Sequence, residues 1–304
     1  MSQKYGASGL WTYNTTANVT REAVRDLRDF KSNDVNFKLA LWNPSTNGVR
    51  YLKALVYTLA GGLDAENWQR LRNIAHRDVG DPFSVTYDGE TVCLDYIQAV
   101  YELGFITRTL DLDGRSVLEI GAGYGRTCHA MLSNHDVASY HIVDLENTLE
   151  LSSAYLAEVL TPEQFEKVTF TPVSDVDDTV AGRHFDLGLN IDSFAEMEPD
   201  TVVDYLRLIA GNCDHLYVNN PVGKYLDKTL DDHVQGDEVV ALALRTGLLR
   251  DVIDIHDNRA VAAEVPKFLD AYRPGPAWSC VADGPAVPWS YYWQALYRAD
   301  SAAV

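Results

Sequence analysis

Short apolar runs alternate with longer amphipathic segments from about residue 115 onwards. The amphipathic segments have apolar residues at helical spacing, and a last alternating segment at 290–298 predicts a final strand. Strands that alternate with helices over short connections indicate an α/β fold with a mostly parallel sheet. The apolar runs that predict its other strands are Ser116–Ile120, Tyr140–Val143, Lys167–Phe170, Phe185–Ile191, His215–Asn220 and Leu249–Ile255.

The first 110 residues lack this alternation and are mainly helical in pattern. A loop rich in Gly, Pro and Asp interrupts them at Asp78–Glu90. We therefore divide the chain into a helical N-terminal region, 1–110, and an α/β domain, 111–304. The predicted helices of the first region are Thr20–Phe30, Gly48–Ala60, Leu63–Ile74 and Val92–Leu103.

Composition narrows the class of protein. The chain has 304 residues, of which 46% are hydrophobic, and no run approaches the roughly 18 apolar residues of a membrane span. Its N-terminus lacks the pattern of a signal peptide, so we expect a cytoplasmic protein without a membrane partner. A net charge of −19 disfavours nucleic acid as a partner. The four cysteines are far apart and predict neither a zinc site nor a disulfide framework.

A glycine turn follows the first strand of the predicted sheet. Gly121, Gly123 and Gly125 alternate directly after it, and Asp144 ends the next strand. A glycine lets a ligand lie against the backbone, and an acid about 20 residues further on can accept hydrogen bonds from ribose hydroxyls. This spacing differs from the G-x-G-x-x-G of dinucleotide sites. Glu119 before the turn would repel a pyrophosphate but could hold a ligand with positive charge.

Three segments, RSVLEIGAGYGRTCHAML, YHIVDLENTLELSSAYL and FDLGLNIDSFAEMEP, carry a family resemblance. The first resembles motif I of class I S-adenosylmethionine-dependent methyltransferases. Together they look most like the sugar O-methyltransferase family of bacterial polysaccharide and antibiotic pathways, over residues 115–218. The resemblance implies a seven-stranded, doubly wound, Rossmann-like sheet with an antiparallel last strand, and an N-terminal region that either caps the substrate site or packs on the sheet edge.

The resemblance also implies a cofactor, S-adenosyl-L-methionine, and the residues that bind it. The acid before the glycines would lie near the methionine end, the acid after the second strand would bind the ribose, and a polar residue after the third strand would hold the adenine edge. The residues implied in cofactor binding are Glu119, Gly121, Ala122, Gly123, Asp144, Leu145, Ser174, Asp175 and Asn190.

Two acids follow the fourth predicted strand, where the methyl group should meet the acceptor. An alkyl hydroxyl barely ionises at neutral pH, so its methylation needs a base within hydrogen-bond reach. Asp192 is the first candidate base; Glu196 is either a second base or a group that orients the acceptor. His233, in a loop after the fifth strand, is a further candidate.

A metal site is not expected. Some O-methyltransferases hold Mg²⁺ with an acid after the fourth strand and an acid–amide pair after the fifth. Asp192 matches the first position, but Asn219–Asn220 stands where the second carboxylate should be. A missing charged ligand weakens a site for a hard cation. Asp231–Asp232 could supply other oxygens.

The sequence thus predicts an O-methyltransferase of a small polar molecule, a sugar or a sugar-containing secondary metabolite. Two alternatives remain open. The acceptor could instead be an amine or a phenol of a small-molecule biosynthetic pathway, or the chain could bind the cofactor without catalysis as a partner protein. A dinucleotide oxidoreductase fits the glycine spacing poorly. A homodimer is compatible with the sequence.

Overall fold

The computed structural model describes residues 13, 16, 17, 44–180, 182–225 and 237–300. The described N-terminal part contains three helices and a small hairpin. Asp64 caps the second helix by accepting from the Asn67 N–H at 2.7 Å. The predicted helix at Thr20–Phe30 lies outside the described residues. In chain order the elements are α1 (Pro44–Gly62), α2 (Ala65–Asn73), β1 (Ser84–Tyr87), β2 (Glu90–Cys93) and α3 (Leu94–Thr107).

A seven-stranded sheet forms the rest of the fold. Its strands are β3 (Ser116–Ile120), β4 (Ser139–Asp144), β5 (Val168–Pro172), β6 (Phe185–Ile191), β7 (Cys213–Pro221), β8 (Trp278–Pro285) and β9 (Tyr292–Ala299). The spatial order is β5-β4-β3-β6-β7-β9-β8. Strands β3 to β7 pair in parallel, whereas β9 is antiparallel to both of its neighbours. The predicted doubly wound, Rossmann-like sheet with an antiparallel last strand is confirmed.

Helices cover both faces of this sheet. The helices of this part of the chain are α4 (Arg126–Asn134), α5 (Glu146–Val159), α6 (Pro162–Phe165), α7 (Val176–Thr179), α8 (Pro199–Asn212), α9 (Asp237–Ala243) and α10 (Asn258–Ala271). Because alternate residues of a strand face opposite sides, Val117 packs into one buried cluster and Leu118 into another. This two-sided burial explains why the central strands are almost continuously apolar. None of the described helices is long and apolar enough to cross a membrane.

The helix α3 joins the N-terminal region to the sheet. On one side Ile97 and Val100 pack with α1 and α2 in a separate cluster. On the other side Leu103 and Ile106 are buried in the core that covers one face of the sheet. The helix therefore reaches the sheet directly and can contribute side chains to its edge.

Two predicted elements differ in the structure. The run Leu249–Ile255 does not form a strand and makes only an isolated bridge from Val252 to Lys224. Its apolar side chains instead pack against the core from a loop. The seventh strand of the sheet is instead β8, which lies at the edge beside β9. It alternates weakly and contains Gly284 and Pro285. The predicted loop Asp78–Glu90 contains most of the hairpin β1–β2.

Candidate active site

A cavity of about 800 Å³ opens at the carboxyl ends of the parallel strands. The cavity lies at the topological switch point of the sheet. There the strand order changes direction, because β4 and β5 lie on one side of β3 and β6 and β7 lie on the other. Ligands of open α/β sheets bind at such a switch point. Residues that follow β3, β4, β5 and β6 line the cavity, together with residues of α3, β7 and β9.

The glycine turn after β3 forms the floor of the cavity. Gly121 and Gly123 both have positive φ angles, 75° and 57°. A Cβ on Gly121 would lie 2.1 Å from the Ser193 Oγ, so this glycine is required by packing. A Cβ on Gly123 would meet nothing within 4 Å, because this position faces open space. Gly123 is therefore the place where a ligand can lie against the backbone.

Asp144 fixes the turn to the end of β4. Its Oδ2 accepts from the Gly123 N–H at 3.0 Å, and its Oδ1 accepts from the Leu145 N–H at 2.7 Å. An ionised carboxylate has about four acceptor positions, so it keeps capacity for hydroxyl donors from a ligand. Ala122, between the glycines, also lines the cavity. The structure thus brings together the predicted residues of the turn and the acid.

Two exposed apolar side chains flank this part of the cavity. Leu145 follows β4 and is 61% exposed, and Val173 follows β5 and is 43% exposed. Such side chains suit a flat apolar ring. Ser174 and Asp175, the predicted adenine-edge residues, do not line the cavity, and the Ser174 hydroxyl donates to Asp175 at 2.8 Å. Sequence reasoning missed Val173, although it directly precedes them.

Glu119 lies in the cavity wall and is 2% exposed. Its Oε2 accepts a hydrogen bond from the Tyr140 hydroxyl at 2.7 Å. Burial raises the pKa of Glu119 to about 7, although the Tyr140 hydrogen bond and the charge of Arg126 favour its ionised form. This carboxyl group can therefore change charge near neutral pH.

Asn190, which was predicted as a cofactor ligand, lies beneath the site. The residue is fully buried and is not part of the cavity wall. Its Nδ2 donates to the Ile120 carbonyl and the Ser193 hydroxyl, and its Oδ1 accepts from Phe194 and Asn220. Because two donors and two acceptor sites are used, Asn190 joins β3, β6 and β7 below the cavity.

Asp192 stands at the turn after β6 with a positive φ of 66°. It lines the cavity, and its Oδ1 accepts from the Tyr292 hydroxyl at 2.5 Å. Burial and the Asp192 carboxylate both raise the pKa of Tyr292, so the phenol stays protonated and remains the donor. Tyr292 begins β9, far along the chain, and no motif or spacing in the sequence points to it.

Glu196 also lines the cavity, close enough to Asp192 for their charges to interact. Burial and the charge of Asp192 raise the pKa of Glu196, and Lys224 opposes them. Lys224 is 7% exposed and donates to the Ala195 carbonyl at 2.8 Å. Burial lowers the pKa of Lys224, while Glu196 and Asp192 raise it. This lysine, which sequence reasoning missed, supports the segment that carries both acids.

The remaining candidates come from the predicted loop after the fifth strand. His233 and the pair Asp231–Asp232 lie outside the described residues. Within 44–180, 182–225 and 237–300, no three His, Cys, Asp or Glu side chains are grouped as metal ligands would be.

Comparison with solved structures finds similarity to several methyltransferases, each at low sequence identity. No family model and no curated protein sequence matches it. The methyltransferase domain of bacterial CtHen1 is 12% identical, with a TM-score of 0.48 over 66% of this chain and 96% of that one. Mitomycin 7-O-methyltransferase MmcR is 17% identical, with a TM-score of 0.43 over 90% of this chain and 74% of that one. Magnesium protoporphyrin IX methyltransferase ChlM from Synechocystis PCC 6803, solved with bound S-adenosylhomocysteine, is 16% identical, with a TM-score of 0.44 over 78% and 95%.

Proposed function

We propose that the protein is an S-adenosylmethionine-dependent O-methyltransferase of a small polar substrate, a sugar or a sugar-containing natural product. The observation that carries this proposal is the meeting of three features in one cavity. These are the open turn at Gly123, the carboxylate of Asp144 and the carboxylate of Asp192. The first two suit an adenosine-containing ligand with an exposed ribose, and the third suits a hydroxyl acceptor.

The residues present fit the cofactor. Gly123 leaves space against the backbone, and Asp144 has acceptor capacity for two ribose hydroxyls. Leu145 and Val173 offer apolar surface for an adenine ring, and the Glu119 carboxylate can face an ammonium group. The bound cofactor supplies a methyl group on a positively charged sulfur, which is open to attack by a nucleophile.

Asp192 is the base in this proposal. The Tyr292 hydroxyl occupies its Oδ1, which fixes the plane of the carboxylate and leaves Oδ2 to accept the proton of a substrate hydroxyl. Glu196 has a raised pKa and so can be protonated over a wider pH range than a free glutamate. It can therefore donate to a second substrate hydroxyl and orient the acceptor.

Charge and aromatic surface both favour a neutral polyol over an anionic acceptor. Trp289, at the cavity wall, is 43% exposed and offers a broad apolar face for the ring of a sugar. Asp192 and Glu196 would repel a phosphate or a carboxylate on the acceptor. Among the described residues of the cavity wall, Arg126 carries the only guanidinium, whereas carboxylates belong to Asp95, Glu102, Glu119, Asp144, Asp192 and Glu196.

The test is turnover with a panel of acceptors. The protein is incubated with S-adenosylmethionine and a set of hydroxylated sugars, amines and phenols, and release of S-adenosylhomocysteine is measured. We expect release with a sugar-type hydroxyl, and Asp192→Asn should reduce it at least about 100-fold while the affinity for S-adenosylhomocysteine stays within about twofold. Turnover restricted to amines, or unchanged in Asp192→Asn, would refute the O-methyl transfer or the role of Asp192, respectively.

A further inference from the structure

A buried polar network links the N-terminal region to the cavity. Glu102 of α3 is 3% exposed and bonds to two elements of the sheet domain. Its Oε2 accepts from the Arg126 guanidinium at 2.7 Å, and its Oε1 accepts from the Asn219 Nδ2 at 2.9 Å. All three side chains line the cavity, beside Glu119. Their sequence positions are far apart, so only the fold brings them together.

One atom of this network has no partner. Asn219 is 2% exposed, and its Oδ1 is buried without a hydrogen-bond donor among the residues that the structure describes. Buried amide oxygens are nearly always bonded, so such an atom indicates a missing donor. Since Asn219 lines the cavity, a ligand in the cavity is the natural source of that donor.

The charged side chains around the Asn219 oxygen indicate which chemical groups of a ligand can bind there. Glu102 and Glu119 are acceptors, and with the Asn219 oxygen they can surround an ammonium group. Arg126 donates through Nη1 to the Asp95 carbonyl and through Nη2 to Glu102. A guanidinium has five N–H donors, so others remain for a carboxylate. An ammonium and a carboxylate on one carbon are the ends of an α-amino acid.

We propose that Glu102, Arg126 and Asn219 form the binding site for the α-amino-acid end of the cofactor. The inference rests on the proposed function. It makes α3 part of the cofactor site, so the N-terminal region contributes to binding the methyl donor. If the Glu102–Arg126 ion pair served only to join α3 to the sheet, the unbonded Asn219 oxygen at the cavity wall would have no role.

The test compares two ligands that differ only at this end. S-adenosylhomocysteine carries the α-amino acid, whereas 5′-methylthioadenosine has the same adenosine and thioether without it. Dissociation constants for both are measured by titration calorimetry on the wild type and on Asn219→Leu, which keeps the volume but removes the amide. We expect Asn219→Leu to weaken S-adenosylhomocysteine about tenfold or more and to leave 5′-methylthioadenosine within about twofold.

Two further variants complete the design. Asp144→Asn should weaken both ligands by similar factors, since both contain the ribose. Glu102→Gln, a milder change, should again weaken only S-adenosylhomocysteine, and it decides the matter if Asn219→Leu does not fold. An equal loss of both ligands, or no loss of either, in the Asn219 and Glu102 variants would overturn the inference. A wild type that binds neither ligand would instead refute the proposed function itself.

Discussion

The open glycine at the floor of the cavity gives a sharp test of where the ligand lies. Gly123 has a φ of 57° and nothing within 4 Å of an added Cβ. Gly114 shares these properties, with a φ of 71° and nothing within 4 Å, but it precedes β3 and so lies at the opposite end of that strand. The variants Gly123→Ala and Gly114→Ala therefore form a matched pair that differs in distance from the cavity.

The two substitutions should lower the free energy of unfolding by similar amounts. A left-handed conformation costs an alanine roughly 1–2 kcal/mol, and the reduced freedom of the unfolded chain returns about 0.4–1 kcal/mol. We expect a net loss of about 1 kcal/mol for each, which lowers the Tm by about 2–4 °C. The midpoint of thermal unfolding without ligand measures this loss.

Ligand binding should separate the two variants. The Gly123→Ala methyl group projects into the space assigned to the cofactor, and overpacking of one methyl typically costs about 1–3 kcal/mol. We expect Gly123→Ala to weaken S-adenosylhomocysteine about tenfold or more, while Gly114→Ala stays within about twofold of the wild type. Equal affinities of the two variants in titration calorimetry would show that the cofactor does not lie against Gly123.

Four further outcomes follow from the site. Tyr292→Phe removes the donor to Asp192, so kcat should fall about tenfold while S-adenosylhomocysteine affinity stays constant; an unchanged kcat would contradict the role of the phenol. The pKa of Glu119 is raised to about 7 from an ordinary value of 4.5, so the free energy of unfolding should fall as pH rises from 4.5 to 7. Chemical denaturation at a series of pH values should show a smaller fall in Glu119→Gln. As Glu119 ionises through pH 7, wild-type affinity for S-adenosylhomocysteine should rise, and a pH-independent affinity would argue against an ammonium beside it. In Gly125→Ala the new Cβ would lie 2.9 Å from Leu156 at a φ of 94°, so thermal melts should show a larger loss than in Gly123→Ala, about 2–4 kcal/mol.

Local pattern was enough to predict the central strands and the glycine turn. Buried parallel strands such as β3 and β4 are marked by continuous apolar runs, and the turn between β3 and α4 is marked by glycines whose backbone needs positive φ. The edge strand β8 lacked that signal because it is half exposed and includes Gly284 and Pro285. The run 249–255 was predicted as a strand because a short apolar run can also belong to a loop that packs against the core.

The site itself was only partly predictable. Asp144 and Asp192 follow predicted strands, so their meeting at one sheet edge could be expected from topology. Tyr292 and Lys224 come from segments whose place depends on the tertiary fold, and neither belongs to a motif. Asn190 is the opposite case, because its predicted role as a ligand rested on its place at a strand end, whereas its hydrogen bonds to Ile120, Ser193 and Asn220 depend on the tertiary fold.

The most direct measurement is titration of the wild-type protein with S-adenosylhomocysteine and, separately, with NAD. A cavity that combines the open Gly123 with the buried carboxyl group of Glu119 should accept the first ligand and reject the pyrophosphate of the second. We expect saturable binding of S-adenosylhomocysteine with one site per chain and no detectable binding of NAD. Binding of NAD alone would contradict the cofactor assignment and with it the roles of the cavity residues.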